Sequence, residues 1–121
     1  MDKYDVLLDN KEGKGYVYLL GDWEKEGIFK IGVTRGALRR RIKKLQTGNS
    51  GEIYVVSYFR TDHPFFIERW MHTKYCGDNI LGEWFKMSPD DIKNFKNNCQ
   101  KFEELYKNTH GRNKKVDLDY L

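Results

Sequence analysis

Tyr18, Lys30 and the arginines Arg39, Arg40 and Arg41 fall in one stretch, YVYLLGDWEKEGIFKIGVTRGALRRRIKKLQ, from Tyr16 to Gln46. A phenol, an ammonium and several guanidinium groups are together suited to a phosphodiester. Its hydrolysis needs an activated nucleophile, neutralised phosphoryl oxygens and help for the leaving oxygen. Arginine's planar fork matches a phosphate and keeps its charge. A tyrosine, which titrates near ~10 in model peptides, is a poor base until a cation lowers its pKa, and Lys30 is the expected cation.

These groups meet only if the local structure turns them the same way. From about Gly15 to Leu20 the residues alternate, with Tyr16 and Tyr18 on one face and Val17 and Leu19 on the other. A polar turn from Gly21 to Gly27 leads to a second alternating strand, about Ile28 to Val33. An antiparallel hairpin would bury Val17, Leu19, Phe29, Ile31 and Val33 and present Tyr18 beside Lys30. A helix follows from about Ala37 to Gln46, with Leu38, Ile42 and Leu45 as its buried stripe. At ~100° per residue, Arg41 lies about 65–70° from the stripe's centre, while Arg40 points away from it. Counting from Gly32 favours Arg40 as the arginine that faces the site, and helical phase favours Arg41. Arg41 is taken on phase. The remaining basic residues, Arg35, Arg39, Arg40, Lys43 and Lys44, form an acid-free cluster of the kind that holds a nucleic-acid backbone.

Beyond Gln46, Thr47 to Gly51 is a turn, and EIYVVSYFR (52–60) is β-rich, a central or third strand. Asp62 is expected to cap the next helix, with Pro64 in its first turn. That helix would bury Phe66, Ile67, Trp70 and Met71, leaving Glu68 and His72 at i, i+4 on another face. Residues 76–82 read as a loop and 83–87 as a short extended piece. Ser88-Pro89-Asp90-Asp91 opens a last helix with Ile92, Phe95, Cys99, Phe102 and Tyr106 along one side.

The fold expected is α+β: a small three-stranded antiparallel sheet packed with helices, plus a C-terminal helix. A chain of 121 residues suits one domain, over 15–107, with a lead-in at 1–14 and a polar tail at 108–121. Hydrophobic content of 39% and charged content of 33% describe a small core under a busy surface. No apolar run approaches the ~18 residues of a membrane span, and the first residues lack a signal-peptide core. Cys76 and Cys99 form no C-x-x-C pair, so an intracellular, cytoplasmic protein with reduced thiols is expected. His63, His72, Cys76 and Cys99 lack a zinc-ligand spacing.

With these residues in place, the chain resembles the GIY-YIG nuclease superfamily, in a small branch common in phages and viruses. The resemblance rests on Tyr16-Val17-Tyr18, Lys30-Ile31-Gly32, the arginine-rich helix, FFIERWMH and EWF, over about residues 15–87. It implies an endonuclease that hydrolyses phosphodiester bonds, with DNA favoured over RNA. Tyr18 then matches the residue that activates or orients water, and Lys30 stands where a second tyrosine is usual. Arg41 matches the arginine that steadies phosphate charge, and Glu68 the glutamate that holds a divalent metal. His72 matches a histidine four residues after that glutamate. The implied cofactor is Mg²⁺ or Mn²⁺, since one carboxylate is adequate for an ion that keeps waters and borrows substrate oxygens. The alternative is an inactive nucleic-acid-binding module on the same scaffold.

Overall fold

Residues 14–110 are described by a computed structural model. β1 (Gly15–Asp22) and β2 (Lys25–Thr34) form the expected hairpin, but both strands run further than alternation suggests, and the tip shrinks to Trp23-Glu24. The extra residues of β2 are absorbed in an irregularity beside Gly21 and Asp22. There Gly27 has φ 73°, a left-handed conformation that glycine adopts without a Cβ penalty. α1 (Leu38–Thr47), β3 (Ile53–Thr61) and α2 (Pro64–Lys74) follow.

The sheet has five strands, not three. A 3₁₀ turn over Cys76–Asp78 leads into β4 (Asn79–Leu81), and β5 (Trp84–Lys86) returns beside it. The order is β3-β1-β2-β5-β4, with antiparallel pairing throughout. β3 therefore lies at an edge, and β2 occupies the centre. β5 lies within the short extended piece expected over 83–87, though its place in the sheet was not expected, and β4 lies in the expected loop. Each is three residues long, too short for a period-2 pattern to register.

Both faces of the hairpin are covered, which explains why every residue of β1 is buried. Val17, Leu19, Phe29 and Ile31 pack with Ile67 and Met71 of α2 and with Phe85 and Met87. Tyr16, Tyr18 and Leu20 pack on the other side with Leu38 and Ile42 of α1 and with Ile53. Val33, expected inside, is only half-buried. In α2, Ile67 and Met71 are buried, while Phe66 and Trp70 stay partly exposed because they face a neighbouring helix.

The last helix is broken at Asn94 into α3 (Pro89–Lys93) and α4 (Phe95–His110). Ser88 caps α3 in a reciprocal capping box: the Asp91 N–H donates to Ser88 Oγ, and the Ser88 N–H to Asp91 Oδ2. At α2 the expected Asp62 cap does not form. His63 holds the cap position without a side-chain capping hydrogen bond, and Thr61 Oγ1 accepts the His63 N–H at 3.0 Å. Phe66 and Trp70 of α2 meet Tyr106 and Phe102 of α4, with centroids 5.0 and 5.9 Å apart. α4 runs through Asn108 to His110, where the tail was expected to begin. Residues 1–13 of the lead-in and 111–121 of the tail lie outside the described residues. Among the described residues, Cys76 is exposed, Cys99 is buried and both are free, and no helix is long and apolar enough to cross a membrane.

Candidate active site at the open edge of β2

The site gathers around Gly32. Hairpin register sets Tyr18 opposite Gly32 and Lys30 opposite Leu20, which places Tyr18 and Lys30 on the α1 side of the sheet. A Cβ at Gly32 would collide with the Tyr18 ring and hydroxyl, so glycine here is what lets that ring lie across the strand. β5 pairs with β2 only over Ile28–Lys30. Past that point the Ile31 N–H donates to the Glu83 carbonyl at 3.1 Å. The Ile31 carbonyl accepts from His72 Nε2 at 2.8 Å. α2 packs on the face opposite α1, yet through His72 it reaches the strand edge where β5 stops.

Arg41 Nε donates to the Tyr18 hydroxyl at 3.3 Å. The cation bonded to the phenol is thus Arg41, whereas Lys30, expected in that role, turns its ammonium to Glu83 Oε1 at 3.5 Å. Tyr18 has 0% of its surface exposed. Burial pushes its pKa above the ordinary value of 10.0, and the Arg41 hydrogen bond and charge offset that only in part. The phenol is therefore neutral near pH 7. Burial also raises the carboxyl pKa of half-buried Glu68; Glu83 adds to the rise, and His72, Arg41 and Lys30 oppose it. Tyr18, Lys30, Arg41, Glu68 and His72 come from four elements, and all enter this one electrostatic neighbourhood together with Glu83.

Glu83 is the group that motif reading missed. It begins the EWF string, which otherwise served as a label, and nothing in its spacing sets it apart from a solvated turn residue. Its significance arises from β5, which lays it beside Lys30 and Ile31.

Two depressions flank the cluster. One, of about 400 Å³, is lined by Phe65, Glu68, Arg69, His72, Thr73 and Cys76. The other, of about 350 Å³, is lined by Lys30, Lys44, Leu45, Gly48, Asn49, Ile53 and Trp84. Its rim is pinned by Asp22, a buried carboxylate that accepts from Asn49 Nδ2 at 2.8 Å and from the Glu24 N–H at 2.8 Å. Gln46 closes the same loop, donating to Gly51 O and accepting the Ile53 N–H, each at 2.8 Å.

The other basic residues surround the site. Arg40, Lys43 and Lys44 are exposed on α1, and Arg39 is half-buried. Arg35 is exposed near the start of α1, 5.3 Å over the Phe65 ring. The first turn of α1 contains no acid to complement the helix dipole. Arginines at a positive helix end cost stability unless an anion is near, so this end of the molecule is electrostatically suited to phosphate. No set of three or more His, Cys, Asp or Glu residues forms a metal cage among the described residues. Any divalent ion here would depend on the Glu68 carboxylate, water and substrate oxygens.

No curated protein and no solved structure matches the chain significantly. The family model for the T5orf172 domain matches residues 15–109, from the start of β1 almost to the end of α4. That span contains the whole sheet and every residue of the cluster, and the chain belongs to the T5orf172 domain family.

Proposed function

We propose that the protein is a divalent-metal-dependent endonuclease of the GIY-YIG type that hydrolyses DNA phosphodiester bonds. Membership of the T5orf172 family supports a nuclease-like or DNA-binding activity in general terms. The observation that carries the finer reading is the Tyr18–Arg41 contact, made within one charged neighbourhood with Glu68, Lys30 and His72.

The chain's own groups divide the work as follows. Arg41 spends Nε on Tyr18, which fixes the guanidinium and leaves its terminal nitrogens to grip phosphoryl oxygens as negative charge builds. Tyr18, being neutral and buried, orients Arg41 and offers its O–H as a donor; it does not extract a proton from water. His72 gives its Nε2–H to Ile31, which leaves Nδ1 as the ring atom that would take a proton from the attacking water. Lys30 adds positive charge in the wall of the second depression, where it would help to stabilise the departing oxygen. Glu68 supplies a hard, half-buried oxygen donor that fits Mg²⁺ or Mn²⁺, and the ion when bound would polarise the phosphate and lower the pKa of water. Arg35, Arg39, Arg40, Lys43 and Lys44 would hold the backbone on either side.

Plasmid DNA incubated with the protein and Mg²⁺, beside Glu68→Ala and Arg41→Ala, tests this reading. Nicking by the wild type, loss in both variants and arrest by EDTA are expected. No cleavage by the wild type, or equal cleavage by all three, would sink it. The complete burial of Tyr18 favours a second reading, a binding module without turnover. That module would bind DNA in EDTA with strong salt dependence and never cut it.

A further inference from the structure

Gly82 has φ 56°, a left-handed turn conformation, and it reverses the chain between β4 and β5, which puts Glu83 in the turn just before the last strand. The Glu83 carbonyl is fixed by the Ile31 N–H. Its side chain is 38% exposed overall, but Oε1 is enclosed and accepts no hydrogen bond among the described residues. The Lys30 ammonium lies 3.5 Å from that oxygen, close enough to pair by charge but without hydrogen-bond alignment. An enclosed carboxylate oxygen without a donor is costly, and an acid beside a phosphate-binding cluster repels the ligand as well. Two penalties at one residue call for a compensating role.

We propose that Glu83 is a positioning residue: it holds the Lys30 ammonium in the wall of the depression that Lys30 shares with Lys44 and Trp84, ready to pass to a phosphate of the bound strand. The looseness of the pair suits that exchange, because an ammonium carries three donors and can move to a better acceptor without breaking a well-formed hydrogen bond. Without Glu83, Lys30 would turn toward Trp84, whose ring centroid is 5.5 Å from its Nζ. Trp84 already has the Lys25 ammonium over its ring at 4.3 Å, so a second cation there would crowd the groove and leave the phosphate position unmanned. The catalytic part of this proposal rests on the nuclease reading; the hold on Lys30 does not.

The test is a double-mutant cycle of Glu83→Gln and Lys30→Met, read by cleavage in Mg²⁺ and separately by binding of a labelled DNA duplex in EDTA. Glu83→Gln should lower kcat about tenfold and weaken binding about two- to fivefold, because Lys30 leaves the phosphate position. With Lys30 already Met, the same change should alter kcat by less than about twofold and should no longer weaken binding, since only the repulsion of the acid is then removed. Glu83→Asp, which keeps the charge on a shorter arm, should recover part of kcat and serves if Glu83→Gln folds poorly. Additive effects in the two backgrounds, or wild-type kcat and binding in Glu83→Gln, would overturn the proposal. If the wild type cuts no DNA, the nuclease reading fails, and the binding cycle alone decides: weakening that needs Lys30 upholds the hold on Lys30, and weakening without it, or none, refutes it.

Discussion

Adding one methyl at Gly32 should damage both stability and activity, because the Tyr18 ring occupies the space a Cβ would take. In Gly32→Ala the new Cβ falls inside contact distance of the Tyr18 ring carbons and hydroxyl, and the position is buried on a central strand. The ring cannot swing freely, since it is packed with Leu20, Leu38 and Ile42. Overpacking of this kind costs about 1–3 kcal/mol. If relief comes by displacing Tyr18, its bond with charged Arg41 is lost as well, worth about 1.5–3 kcal/mol. A total of about 2.5–6 kcal/mol should lower Tm by about 10–25 °C for a domain of this size. Circular dichroism melts and urea titrations read the stability, and plasmid cleavage reads the function. Tyr18→Leu, whose side chain stops short of Gly32, supplies the control: in that background Gly32→Ala should cost less than about 1 kcal/mol. An equal cost in both backgrounds, or Gly32→Ala melting within about 2 °C of the wild type, would refute the reasoning.

Other expectations are equally concrete. Arg41→Lys removes the planar fork and should cut kcat about a hundredfold, whereas Arg40→Ala, on the exposed side of α1, should mainly weaken binding and reduce the salt slope by about 1; similar kinetic losses in the two would argue against the assignment. The Asp22 carboxyl titrates below its ordinary value of 3.8, chiefly because Asn49 hydrogen-bonds to it. The stability it contributes is therefore complete above that value and drains as pH falls through the lower folded pKa. Asp22→Ala should cost about 1–3 kcal/mol at pH 7 and lose less further stability in acid than the wild type, as urea midpoints from about pH 2 to 7 would show. Parallel acid losses would exclude the carboxylate. Ser88→Ala breaks the capping box and should cost about 1 kcal/mol, with no change in DNA binding; a larger loss, or altered binding, would mean that α3 does more than terminate the chain's turn.

The hairpin and α1 were legible because their signals are local. Alternation in YVYLL and IFKIGV and the i, i+4, i+7 stripe of α1 each lie within one element and reflect a buried face. The α+β class followed from them. Two kinds of structure escaped. β4, read as loop, and the pairing of β5, read only as an extended piece, depend on the open edge of β2, whose backbone partners no local pattern announces. The α2 cap escaped because Asp62 is a good capping residue by type, whereas Thr61 is the residue positioned to accept the His63 N–H.

What the sequence determined by itself, then, was the set of chemical groups and the face each occupies: phenol and ammonium on one side of a hairpin, a guanidinium at the margin of a helical stripe, and a carboxylate and an imidazole one turn apart. Their partners were decided only in three dimensions. Pairing register put Tyr18 over Gly32, and helix packing brought Arg41 to the phenol. The position of β5 gave Lys30 to Glu83, and the uncovered strand edge admitted His72 to Ile31. The reason is one of range: periodicity fixes which way a side chain points within its own element. Its distance to a group tens of residues away, and hence its charge state and role, depends on how separate elements dock.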